Sequence, residues 1–89
     1  MESQLENALR NWCKRKGYWC LKLVLSRQLG WPDRTILMPG GRVVFLELKQ
    51  PGGKRRARQK YWIGRLREFG FTAEFVDDLE HAIALIEDA

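Results

Sequence analysis

The sequence predicts an α/β fold, a mixed sheet flanked by helices. Three observations carry that prediction. Hydrophobic periodicity switches along the chain in the order helix, strand, strand, strand, helix, strand, helix. The 89 residues are 45% apolar and 30% charged, a balance that supports one small core and excludes intrinsic disorder. No apolar run approaches the ~20 residues of a membrane-spanning helix. The length predicts a single domain over residues 1–89. A chain this short buries only about 60–65% of its unfolded surface, so a second copy or a bound metal would help to stabilise it. The N-terminal stretch MESQLENALRNW lacks a signal-peptide pattern. Two cysteines, Cys13 and Cys20, make neither a disulfide framework nor a zinc site. The expectation is a cytoplasmic protein with free thiols and no membrane partner.

Taken in order, residues 3–16 place Leu5, Ala8, Leu9, Trp12 and Cys13 on one helical stripe. Lys14, Arg15 and Lys16 match the negative end of the helix dipole, and Gly17 stops the helix. Glu2 lies about 50° from the centre of the stripe and Glu6 about 90°, so Glu2 can point to the core edge while Glu6 reads as an ordinary first-turn acid. Tyr18 to Leu25 (YWCLKLVL) reads as a strand. A loop with Gly30 and Trp31 follows, then Pro32-Asp33. Arg34 to Met38 and Arg42 to Lys49 are strands joined by Pro39-Gly40-Gly41, which makes a hairpin. Gln50 to Lys54 breaks the chain. Ala57 to Phe69 is a second helix ended by Gly70, Thr72 to Val76 a strand, and a last helix capped by Asp77 or Asp78 runs to about Glu87. Trp12, Trp19, Trp62 and Cys13 are expected in the core, and His81 at the surface or an interface.

Charge is segregated. All 16 lysines and arginines fall within residues 1–67, beside only four acids (Glu2, Glu6, Asp33 and Glu47), a net charge of +12. Residues 68–89 hold the other seven acids and no cation, a net charge of −7. A surface so basic suits a polyanion, and nucleic acid is the commonest. Lys54, Arg55, Arg56, Arg58 and Lys60, with Lys49, form an acid-free run at the start of the second helix. Amides at that helix end add to phosphate binding, which makes this a basic lip for DNA.

Within the long central strand, Glu47 and Lys49 share a face with Val43 and Phe45, opposite Val44, Leu46 and Leu48. A carboxylate and an ammonium there either pair with each other or form a site in which Glu47 holds a metal and Lys49 faces an anion. Hairpin pairing brings Asp33 alongside Glu47-Leu48-Lys49. Two carboxylates and a backbone carbonyl make a hard oxygen site suited to Mg²⁺ or Mn²⁺, and Lys49 can offset charge developing on a phosphate. Glu2 supplies a third carboxylate if the first helix packs alongside.

These residues resemble the PD-(D/E)XK nuclease superfamily, and within it the virus-type replication-repair nuclease (VRR-NUC) family. The resemblance rests on Glu2, Gly30-Trp31-Pro32-Asp33, Gly41-Arg42, Glu47-Leu48-Lys49, Pro51-Gly52-Gly53 and Gln59, and it spans nearly the whole chain. It implies a restriction-endonuclease-like core and a compact, stand-alone protein of the kind found in phages and bacteria. It also implies metal-dependent DNA cleavage, often at branched structures such as four-way (Holliday) junctions. Carried over, Asp33, Glu47 and the Leu48 carbonyl are metal ligands, Lys49 is the catalytic lysine, Glu2 is the N-terminal acid and a further ligand, and Gln59 is the glutamine of the following helix. Arg34 departs from the family pattern, where an apolar residue is frequent, and is expected to add a phosphate contact. Trp31 either stacks on an unpaired base or packs over the hairpin end. The alternative to an enzyme is a DNA-binding accessory module with a nuclease fold; acids facing phosphates favour the enzyme. The near two-fold symmetry of a junction, the marginal core and the resemblance together predict a homodimer, joined through the acidic last helix or the Trp31 loop.

Overall fold

The hairpin is the middle of the sheet. In the computed structural model, which describes residues 3–89, β2 (Arg34–Met38) and β3 (Arg42–Leu48) pair antiparallel from Arg34 opposite Leu46 to Met38 opposite Arg42. Gly40 and Gly41 make the turn possible, with φ of 83° and 74°, a region that side-chain-bearing residues avoid. On one side of the hairpin lies β1 (Trp19–Leu21), antiparallel to β2; on the other lies β4 (Thr72–Val76), parallel to β3. The sheet order is β1-β2-β3-β4. The parallel pair needs a crossover, which α2 (Ala57–Glu68) supplies.

Strand alternation divides the core in two. Val44 and Leu46 point to one face, where they join Leu9 and Cys13 of α1 (Gln4–Lys16) and Ala82 and Ile86 of α3 (Leu79–Asp88). Phe45 points to the other, with Phe75, Ala73 and the Ile63 and Leu66 of α2. The predicted element order and mixed sheet are therefore observed, with helices on both faces. Helix ends follow their expected chemistry. The Ser3 hydroxyl accepts from the Glu6 amide at 3.1 Å, Gly17 closes α1 at φ 78°, and Asp78, of the two candidates, caps α3 by accepting from the His81 amide at 2.7 Å. Among the described residues no helix is long and apolar enough to cross a membrane.

The first strand is shorter than its sequence predicts. Trp19, Cys20 and Leu21 pair with Leu37, Ile36 and Thr35, and the next partners in that register are Arg34 and Asp33, then Pro32. The ladder ends at Leu21 opposite Thr35, and residues 22–33 leave the sheet; Pro32, which would face Val24 in that register, has no N–H to carry the pairing further. Trp19, expected in the core, is 67% exposed, because it sits on an edge strand beyond the reach of α2. Trp12 and Trp62 are half-buried at the margins of the two cores.

Candidate active site

The register that builds the hairpin also builds the site. Continued by one residue past Arg34 and Leu46, it sets Asp33 directly across from Glu47. Asp33 follows Pro32 and has left the ladder, so its carboxylate takes over the strand's bonding: Oδ2 accepts the Leu48 amide at 2.9 Å. Glu47 is buried on the α2 face of β3. Its carboxyl is pushed up from 4.5 to about 8, first by burial and then by the Asp33 carboxylate, with which it is in hydrogen-bonding contact. Lys49 acts in the opposite direction; its Nζ stands 3.9 Å from Glu47 Oε2. A buried acid held against a half-buried one is a poor arrangement for stability and a good one for a cation.

Gln59 ties this pair to the helix. Its Nε2 donates to Glu47 Oε2 at 3.1 Å while its Oε1 accepts the Arg56 amide at 3.0 Å, so one side chain caps α2 and orients the carboxylate. The structure thus brings Asp33, Glu47, Lys49 and Gln59 together. Beside them Lys54, Arg55, Arg56, Arg58 and Lys60 are exposed, as a basic lip requires. Arg55 stacks its guanidinium 4.7 Å from the centre of the Phe75 ring, which fixes its direction.

Two expectations are overturned on the other side of the site. Arg34, expected to reach a phosphate, is 4% exposed. It shares the core face of β2 with Ile36 and Met38 and donates from Nε and Nη2 to Glu6 Oε2 at 3.2 and 3.0 Å, and from Nη1 to the Cys20 carbonyl at 3.4 Å. Glu6, expected to be a solvated first-turn acid, is buried beneath it, with Lys22 Nζ at 3.6 Å. Burial alone would raise the Glu6 carboxyl, but Arg34 and then Lys22 outweigh it and hold it below the usual carboxylate value. The pair lies against the site, for Glu6 and Lys22 share a cavity of about 210 Å³ with Asp33 and Lys49. The signal was present in the sequence: an arginine in step with Ile36 and Met38 must go inward, and an inward arginine needs an acid. Glu2 lies outside the described residues. Trp31 packs edge-on to Phe45 and Trp62, at 5.7 and 5.3 Å between ring centres, and belongs to the core margin.

The donor set accords with a hard divalent cation: two adjacent carboxylates and the carbonyl end of β3, with no sulfur or imidazole. Among the described residues no group of three or more His, Cys, Asp or Glu side chains converges, and the Glu6 carboxylate is engaged by Arg34.

No family model matches the chain. A solved structure of a VRR_NUC domain superposes with a TM-score of 0.83 over 94% of this chain and 91% of that one, at 24% identity. The protein described as "Putative nuclease p44" of Acyrthosiphon pisum secondary endosymbiont phage 1 is 30% identical over 76 residues, 85% of this chain and 82% of that protein. The chain belongs to the VRR-NUC family. VRR-NUC membership makes it a nuclease and fits the mixed sheet described above.

Proposed function

We propose that this VRR-NUC protein is a metal-dependent DNA endonuclease that hydrolyses phosphodiester bonds in branched DNA, four-way junctions included, and acts as a homodimer. One observation carries the reading: buried Glu47 and half-buried Asp33 meet beside an ammonium, next to a lip of cations. Asp33, Glu47 and the Leu48 carbonyl would hold Mg²⁺ or Mn²⁺, with Glu2 as a further candidate. An ion there supplies charge neutralisation at the scissile phosphate. The remaining tasks fall to the chain itself. The lip binds flanking phosphates. Gln59 keeps Glu47 turned toward Asp33. Lys49, held near Glu47 and only partly exposed, offers its ammonium to the negative charge that develops as the phosphorus is attacked.

The test is incubation of the purified protein with linear, flapped and four-way DNA in Mn²⁺, Mg²⁺ or EDTA. Cleavage of the branched DNAs in either metal and none in EDTA supports the reading. Asp33→Asn and Glu47→Gln should abolish both cleavage and Mn²⁺ binding by calorimetry. Undiminished cutting in EDTA, or by either variant, would overturn it.

A further inference from the structure

Three large apolar side chains stand exposed on the segment that joins β1 to β2: Val24 at 85%, Leu29 at 58% and Leu23 at 41%. The base of this segment is firmly held. Trp62 Nε1 donates to the Leu29 carbonyl at 3.1 Å, and Trp31 wedges between Phe45 and Trp62. Gly30 lies so close to α2 that a Cβ would stand 2.7 Å from the Arg58 backbone. Leu29 is thus held on a fixed support, and Leu23 and Val24 line one cavity with it, so the three form an apolar ridge.

The ridge overhangs the site. A cavity of about 240 Å³ beneath it is lined by Leu23, Val24 and Leu29 and reaches Asp33. Through Lys22 and Asp33 it meets the cavity that holds Lys49, and through Leu29 and Gly30 it meets one that reaches Arg56 and Arg58. The three cavities share lining residues, and the one lined by the apolar side chains and the one that holds Lys49 both reach Asp33.

We infer that this ridge is the surface that distinguishes branched from linear DNA, by packing against bases left unstacked at the branch point while Lys22, Arg56 and Arg58 hold the phosphates on either side. The inference rests on the nuclease reading for the strand's position over the site. A continuous duplex must first be unstacked, at a cost, before an aliphatic ridge can reach its base faces. A branch exposes base faces, and aliphatic wedges are a known means of engaging them. Charge favours DNA over a second copy as the occupant: Lys22 and Arg27 flank the ridge, and copies meeting there would set like charges face to face.

The experiment measures binding in EDTA, so that it does not depend on cleavage. Fluorescence anisotropy gives the affinities of the wild-type protein and of the V24S/L29S double variant for four-way, flapped and linear DNA, with 2-aminopurine placed beside the branch. The wild type should favour branched DNA and brighten the 2-aminopurine. The double variant should lose about tenfold in affinity for both branched DNAs, change by less than about twofold on linear duplex, and leave the probe dark. The double variant V24I/L29M, which keeps the ridge apolar, should retain the preference. Equal losses on all three DNAs, or none, would overturn the inference. So would a change in solution mass on substitution, which would make the ridge a contact between copies. A wild type that prefers branches in EDTA yet cuts nothing in Mn²⁺ would remove the nuclease reading and leave the ridge's role standing.

Discussion

The tasks proposed for Glu47 and Lys49 differ, and substitution should separate them. In the proposed mechanism Lys49→Ala removes a charge that acts on the reacting phosphate but no metal ligand. It should cleave at least ~100-fold more slowly and still bind Mn²⁺, by single-turnover rates and calorimetry. Glu47 has a second signature in metal-free protein. Its folded-state value is raised from 4.5 to about 8, so the native state favours the protonated carboxyl. The stability this contributes is present in full below about pH 4.5 and is lost as pH rises through about 8. In EDTA, thermal melting should fall by several degrees between pH 5 and pH 8; Glu47→Gln should flatten that decline, and Mn²⁺ should cancel it. Glu6 obeys the opposite logic, its carboxylate being stabilised by Arg34. Glu6→Leu leaves a buried guanidinium without its main partner and should cost about 3–5 kcal/mol by denaturant titration, whereas Glu6→Leu with Arg34→Met should recover most of it.

Among the elements, the segment between β1 and β2 shows where sequence reasoning stopped. Alternation in RVVFLELK is a local property, so the faces of β3, the hairpin and the meeting of Asp33 with Glu47 could be read in advance. The end of β1 could not be read from its own residues. YWCLKLVL has strand propensity throughout, yet pairing stops at Leu21 opposite Thr35, and Pro32, remote in sequence, would face Val24 and bars a ladder running on to Leu25. The same remoteness hid the Glu6–Arg34 pair, which spans 28 positions and joins α1 to β2. Gly30 is the element's fixed point. With φ at +89° and the Arg58 backbone against it, Gly30→Ala should destabilise the fold by about 2–3 kcal/mol. It should also lower activity beyond that loss, because the loop carries Asp33 at its end. The lip is a looser element: removing Arg55, Arg56 and Arg58 together should weaken binding to every DNA and flatten the salt dependence by up to ~3 units of slope.

At the scale of the molecule, a junction presents two equivalent strands and one chain presents one carboxylate pair. Light scattering at micromolar concentration should return the mass of a dimer, and mapped cuts on a four-way junction should fall in symmetric pairs, with little cutting of linear duplex. A monomer leaving isolated nicks would separate the nuclease from the paired-cut reading. How such a protein can change over generations follows from its hairpin. Asp33 faces Glu47 only because the count of residues between them matches the pairing of β2 with β3. A single deletion or insertion within either strand would turn one acid to the opposite face of the sheet, where Val44 and Leu46 lie. The segment before Asp33 lies outside that count: residues 22–29 can lengthen, shorten or change composition while the spacing of the carboxylates stays fixed. The chemistry is thus held to a strict frame, and the surface proposed to meet the DNA lies outside it.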